Sequence, residues 1–311
     1  MPDLPPAEID ETLSIGGEEI DARKLRSRMT VDASINGSGP FKFVVDSGAD
    51  TSVVGRDLAM QLSLPKGTAT LLHGITESKI VERALVDELE LGPTTTTNLE
   101  LPILAERDIG GDGMIGLDAL VEQRLMLDFE KRIITVDDAA RRERYTGGTI
   151  VVTARLQRGQ LILTEVEADG EKVDAVVDTG SEVTIGNSAL RARIKARKPG
   201  AFDIITVYGV TGKAIEMEFA IVPRLTIGPI TLRNVPIAFA DVPPFAVFGI
   251  DEEPSLLIGT DLMETFRRVS LDFRERKVRF QLRKCKRTDI MLRTTTVASR
   301  LTADRPSACL R

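Results

Sequence analysis

The chain is 311 residues long, 42% hydrophobic, and carries a formal net charge of −6. That length accommodates two domains with real cores, and the acidic balance argues against a general affinity for nucleic acid. No apolar run approaches the roughly 18 residues of a membrane span. Scarcity narrows the chemistry further. With one histidine, His73, and two cysteines, Cys285 and Cys309, a zinc site rich in those residues cannot be assembled. A Ser-His-Asp or Cys-His site would have to run through His73 alone, and no G-x-x-x-x-G-K-[ST] phosphate loop is present. Carboxylates remain as candidates for any chemistry.

Residues 1–28 form an acidic N-terminal extension, with six acidic residues and no Lys or Arg before residue 21, and read as solvated. No basic n-region or apolar h-region is visible. As written, the chain is expected in the cytoplasm; as the mature form of an exported protein, in the periplasm or outside the cell. From Met29 the apolar residues alternate through Ile35, Asn36-Gly37 marks a hairpin turn, and Phe41–Val45 reads as a buried strand. A short helix is expected from Gly55, stopping before Pro65. There follow a glycine-containing segment at Leu71–Thr76, strand-like pieces at Leu89–Leu91 and Asn98–Leu104, the run Gly113–Leu120, and paired strands at Leu125–Phe129 and Ile133–Val136.

The second half repeats this order. Asp169-Gly170 matches Asn36-Gly37, and Ile185–Leu190 matches Val54-Gly55 with its helix. Val207–Thr211 matches the segment around Gly74, and Leu225–Pro229 with Asn234 matches Leu89–Pro93 with Asn98. Leu257–Leu262 matches Met114–Ala119, and Ser270–Phe273 matches Met126–Phe129. Landmarks in one order at this period indicate an internal duplication. The expected organisation is lobe 1 at 29–138, a linker at 139–148, lobe 2 at 149–283, and a basic, flexible tail at 284–311.

The centre of each repeat is an apolar run ending in an acid: Val44-Val45-Asp46-Ser47-Gly48 and Val176-Val177-Asp178-Thr179-Gly180. An aspartate at the end of a buried strand is costly without a reason. Two carboxylates within hydrogen-bonding reach cannot both ionise easily, so they share a proton, giving an acid beside a base. Gly48 and Gly180 permit close backbone approach, while the Ser47 and Thr179 hydroxyls can bond across a pseudo-twofold axis and hold the aspartates in register.

Asp46-Ser47-Gly48-Ala49-Asp50 and Asp178-Thr179-Gly180-Ser181 resemble the signatures of retropepsin- and pepsin-type aspartic proteases. Met114-Ile115-Gly116 and Leu257-Ile258-Gly259 resemble that family's hydrophobic-hydrophobic-Gly segments. The whole is most similar to bacterial two-lobed, single-chain retropepsin-like proteases, over about residues 29–283. The resemblance implies an all-β, bilobal fold of two homologous, barrel-like lobes with short helices. It also implies one catalytic aspartate per lobe, Asp46 and Asp178, and peptide hydrolysis by water attack without a covalent intermediate. The chain is expected to act on protein or peptide substrates as a monomer containing an intramolecular pseudo-dimer, with no metal or organic cofactor. His73-Gly74 and Tyr208-Gly209 occupy flap positions, although His73 also reads as an ordinary loop histidine and Tyr208 as a packing residue.

One Asp-[Ser/Thr]-Gly occurs by chance in roughly one chain in seven of this length. Two copies, each after a valine pair and followed by the same landmarks, carry more weight. The competing reading is a catalytically inactive bilobal module that holds a peptide or protein without cutting it; retention of both aspartates favours the enzyme. A cleft occupied by one of the chain's own termini is a third expectation. Gly111–Gly116 matches G-x-G-x-x-G, but its duplicate lacks the earlier glycines, so the match reads as accidental. Asp128 and Asp272, in the repeated Leu-Asp-Phe, read as structural strand residues. Cys285 and Cys309 are either bridged or two free thiols.

Overall fold

The computed structural model describes residues 29–284 except 93, 121–122, 139–148, 158 and 198–201, and three short strands beyond them. The acidic extension 1–28, the linker 139–148 and Cys285 lie outside the described residues.

In the first half, β1 (Thr30–Ile35) and β2 (Ser38–Val45) form a hairpin, followed by β3 (Val53–Gly55) and helix α1 (Arg56–Gln61). Next come β4 (Thr70–His73), β5 (Ser78–Val81), β6 (Arg83–Leu91), β7 (Thr94–Leu104), α2 (Glu106–Ile109), β8 (Gly113–Ile115) and α3 (Leu117–Leu120), then β9 (Gln123–Asp128) and β10 (Ile133–Asp138). The second half runs β11 (Thr149–Gln157), β12 (Gln160–Ala168), β13 (Glu171–Val177), β14 (Ile185–Gly186), α4 (Ser188–Arg197) and β15 (Asp203–Tyr208). It continues with β16 (Ala214–Ile227), β17 (Ile230–Phe239), α5 (Pro243–Phe248), β18 (Ser255–Ile258), α6 (Thr260–Met263), β19 (Arg268–Asp272) and β20 (Lys277–Gln281).

Local chemistry explains the repeat. Asn36 (φ 49°) and Gly37 (φ 72°) are both left-handed, as are Asp169 (50°) and Gly170 (85°). This is the turn that matches strand twist in a two-residue hairpin. Along β6 buried and exposed residues alternate, the mark of a sheet with one solvated face.

Six strands of the first half close into a barrel in the order β1-β2-β8-β3-β7-β6, with Ala33 opposite Leu91 at the seam. The second half repeats that order as β12-β13-β18-β14-β17-β16, closed where Val166 meets Ile227. The fold is therefore all-β and two-lobed.

The lobes share a sheet, β10-β9-β19-β20-β11. At its centre β9 and β19 run antiparallel, with Arg124 opposite Asp272 and Arg268 opposite Asp128. The repeated strand thus pairs with its own copy, which brings each acid to the other's arginine. Arg124 Nη2 donates to Asp272 Oδ2 at 2.9 Å and Arg268 Nε to Asp128 Oδ2 at 2.6 Å. Both aspartates are wholly buried, and Asp272 takes a further bond from Arg279 at 3.2 Å. Burial raises the titration of Asp128, but backbone N–H bonds and Arg268 outweigh it and hold that carboxyl below its ordinary range. One apolar core runs through the seam, from Phe43 and Leu89 in lobe 1 to Val269 and Phe280 in lobe 2.

In the basic tail β21 (Arg283–Lys284) pairs with β24 (Cys309–Leu310), and β22 (Asp289–Arg293) with β23 (Ala298–Thr302). The sequence pattern there signalled no regular element.

Candidate active site

Each candidate aspartate sits where a buried strand stops. Val44 and Val45 of β2 pair in parallel with Met114 and Ile115 of β8. Val176 and Val177 of β13 pair likewise with Leu257 and Ile258 of β18. The Asp46 amide then donates to the Ile115 carbonyl at 2.9 Å, and the Asp178 amide to the Ile258 carbonyl at 3.0 Å. The hydrophobic-hydrophobic-Gly segments are thus the partners that fix the ends of the two strands.

Beyond the aspartates the two loops interlock. The Ser47 hydroxyl donates to the Val177 carbonyl at 2.7 Å and accepts from the Thr179 amide at 3.1 Å. The Thr179 hydroxyl donates to the Val45 carbonyl at 2.8 Å and accepts from the Ser47 amide at 2.9 Å. Four buried hydrogen bonds therefore tie the two loops to each other and to the ends of the opposite strands. Ser47 and Thr179 are equivalent because each supplies one donor and one acceptor.

This interlock pushes the carboxylates together. A Cβ on Gly180 would lie 2.1 Å from the Asp46 Cγ, and a Cβ on Gly48 2.6 Å from the Asp178 Cγ. Each glycine leaves the space that the opposite carboxyl fills, so the charge of Asp46 bears directly on Asp178. Asp46 Oδ1 accepts from the Gly48 amide at 2.8 Å, and Asp178 Oδ1 from the amides of Gly180 at 2.9 Å and Ser181 at 3.1 Å. Burial, and secondarily the charge of Asp46, pushes the Asp178 titration up to about 8 against the pull of those amides.

A second duplicated pair lies behind the loops. Asp118 accepts from the Ser52 amide at 2.9 Å and hydroxyl at 2.5 Å, and the Ser52 hydroxyl accepts from the Gly116 amide at 3.0 Å. In lobe 2, Asp261 accepts from the Thr184 amide at 3.0 Å and hydroxyl at 2.7 Å, while that hydroxyl accepts from the Gly259 amide at 3.1 Å. Burial raises both carboxyls, Asp261 to about 6. The amides of Leu117 and Thr260 bond the carbonyls of Ala49 and Ser181, at 2.8 and 2.9 Å, so each helix after the glycine is stitched to its aspartate loop.

Two hairpins reach towards each other from opposite lobes, β4–β5 from lobe 1 and the β15–β16 turn from lobe 2. They touch at their tips: the Thr76 and Thr211 hydroxyls are 3.5 Å apart, and Lys213 pairs with Glu77 at 3.4 Å. Each tip also crosses to the other lobe. Ile75 packs on the lobe 2 cluster containing Val176 and Phe245, and Val210 on the lobe 1 cluster containing Val44 and Ile109, beside Ala49 of the Asp46 loop.

The family model described as aspartyl protease matches residues 31–119 and 164–262, more than half of the chain. The chain belongs to the aspartyl protease family. The two matches fall on the two lobes, each running from its first hairpin to the helix after the hydrophobic-hydrophobic-Gly segment. No curated protein sequence matches the chain.

In this chain Asp46, Asp178, Ser47, Gly48, Thr179 and Gly180 come together at one point. Gly74 and Gly209 lie buried at the hairpin tips, where a Cβ on Gly209 would strike Thr76. His73 and Tyr208, the last residues of β4 and β15, are exposed. His73 Nδ1 bonds Ser78 Oγ within its own hairpin at 2.8 Å, and the cross-lobe contacts include Ile75, Thr76, Glu77, Val210, Thr211 and Lys213. Sequence reasoning also missed the Ser52–Asp118 and Thr184–Asp261 pairs. The usable signal was an aspartate two residues after each repeated glycine, Gly116 and Gly259. Among the described residues, no group of three or more His, Cys, Asp or Glu side chains could hold a metal ion.

Proposed function

We propose that the chain is an aspartic endopeptidase in which Asp46 and Asp178 share one proton and activate a water molecule. The observation that carries this reading is that the two carboxyls, one from each lobe, meet at the junction of the loops, each filling the space left by the glycine of the opposite loop. Burial and the neighbouring charge favour the proton on Asp178. Asp46, ionised, then takes a proton from water as general base, and the water oxygen bonds to the peptide carbonyl carbon. The carbonyl oxygen takes the proton of Asp178, giving a neutral tetrahedral diol. In its collapse Asp46 passes its proton to the amide nitrogen, the C–N bond breaks, and a hydroxyl proton returns to Asp178. No bond forms between protein and substrate. The Ser47–Thr179 interlock keeps the carboxyls in place without reorganisation as charge moves.

A substrate reaches both aspartates only if it threads between the loops and the flaps, which suits an extended peptide bound through backbone hydrogen bonds. Because one chain supplies both aspartates, a monomer suffices. The test is hydrolysis of a diverse peptide library between pH 4 and 8 in ¹⁸O-labelled water. The reading predicts label in the new carboxyl group and no acyl transfer to added amines. Transfer to an amine would indicate a covalent intermediate and contradict it.

A further inference from the structure

Proton transfer by Asp46 and Asp178 gives no task to Asp118 and Asp261, the acids behind them. Their connection to the dyad runs through one peptide group in each lobe. In lobe 1 that group joins Ile115 to Gly116. Its carbonyl accepts from the Asp46 amide at 2.9 Å, its N–H donates to the Ser52 hydroxyl at 3.0 Å, and Ser52 donates to Asp118 at 2.5 Å. In lobe 2 the Ile258–Gly259 group accepts from the Asp178 amide at 3.0 Å and donates to the Thr184 hydroxyl at 3.1 Å, and Thr184 donates to Asp261 at 2.7 Å. Every bond points the same way, from the amide of a dyad aspartate to the outer acid.

The outer acid sets that direction. An ionised carboxylate accepts and cannot donate, so the hydroxyl gives it its one proton and turns a lone pair to the glycine N–H. Bonds aligned in one sense polarise each other, which strengthens the hold of the carbonyl on the aspartate amide. Ser52 and Thr184 are wholly buried. The glycines let their segments come close: a Cβ on Gly116 would lie 2.8 Å from the Ser52 nitrogen, and one on Gly259 2.6 Å from the Val183 carbonyl carbon. Burial opposes ionisation of both acids, and the bonds from Ser52 and Thr184 are the largest pull the other way. An apolar side chain would carry no such cost.

We infer that Asp118 and Asp261 are positioning residues for the dyad. Each acts through its hydroxyl partner to orient the peptide group that holds the backbone of Asp46 or Asp178. The Ser47–Thr179 interlock fixes the loops just beyond the aspartates, and these acids fix the aspartates' own amides. The assignment rests on the endopeptidase reading and concerns its rate.

The experiment is a double-mutant cycle on kcat and KM for one cleaved peptide. Its variants are Thr184→Val, which removes the hydroxyl and keeps the volume, Asp261→Ala, and the two together, each corrected for its folded fraction by circular dichroism. Each single substitution should lower kcat by about tenfold, with KM changed by less than about twofold, because the dyad shifts while the substrate contacts stay. Since the acid acts through the hydroxyl, the double variant should lose no more than the worse single one. Thr184→Ser, which keeps the hydroxyl, should recover most of the rate lost in Thr184→Val. If Asp261→Ala does not fold, Ser52→Ala and Asp118→Ala give the same cycle in lobe 1. A folded Thr184→Val with wild-type kcat, or single losses that multiply in the double variant, would overturn the assignment and leave the endopeptidase reading standing. Failure of wild type to cut any peptide would overturn both.

Discussion

A carboxyl that is hard to ionise makes the folded protein dependent on pH, and Asp178 carries most of that burden. Its titration lies at about 8, against 3.8 for an ordinary aspartate. Between those values the folded chain binds more protons than the unfolded chain, so stability falls as pH rises. At about 1.4 kcal/mol per unit, the cost at pH 7 is on the order of 4 kcal/mol. Asp178→Asn removes the titration. Its carbonyl oxygen can still accept from Gly180 and Ser181, and its NH₂ can donate to Asp46, so most of the local bonds survive. The variant should be more stable than wild type by about 2–4 kcal/mol at pH 7, with a difference that grows from pH 6 to 8 and shrinks towards pH 4. Asp261, at about 6, and Asp118 titrate in both proteins, so pH 6–8 is the window that isolates Asp178. Urea unfolding followed by circular dichroism at half-unit steps measures it. Parallel stability curves for the two proteins across that window would refute the reasoning, because they would mean that Asp178 is not strained by its neighbours.

Other outcomes follow from single contacts. Gly180→Ala places a Cβ 2.1 Å from the Asp46 Cγ and must displace that carboxyl, so peptide cleavage should fall by about a hundredfold or more while the circular dichroism spectrum is kept. Arg124→Met leaves Asp272 buried with Arg279 as its remaining cation in the seam; urea unfolding should show a loss of about 3 kcal/mol. Gln160 is wholly buried, and among the described residues neither polar atom of its carboxamide has a hydrogen-bond partner. Gln160→Met, similar in length and without the carboxamide, should therefore raise stability by about 1 kcal/mol in the same assay.

The elements most legible in the sequence were those written in local chemistry. Asn36-Gly37 and Asp169-Gly170 announce their hairpins because few residues other than Asn, Asp and Gly tolerate two left-handed positions in succession. The valine pairs before Asp46 and Asp178 announce buried strands. Other features depended on what the chain meets after folding. The two Leu-Asp-Phe strands each looked like a strand carrying an acid with no partner in view. Only their antiparallel pairing reveals that Asp128 is satisfied by Arg268, and Asp272 by Arg124, 140 and 148 residues away. The flaps show the same limit. Motif alignment pointed to His73 and Tyr208, polar and aromatic residues that attract attention, whereas the tips that cross between lobes are Ile75 and Val210, ordinary in composition. Asp118 and Asp261 were hidden because their partners, Ser52 and Thr184, lie 66 and 77 residues away.

The central claim is that Asp46 and Asp178 act as one acid–base unit. The most direct measurement is the rate of peptide cleavage from pH 4 to 9 by wild type, Asp46→Asn and Asp178→Asn, each shown to be folded. The account predicts that wild type cuts and loses activity as pH rises through about 8, where the shared proton leaves, and that either substitution abolishes cutting at every pH. Substantial cutting by either variant would contradict it.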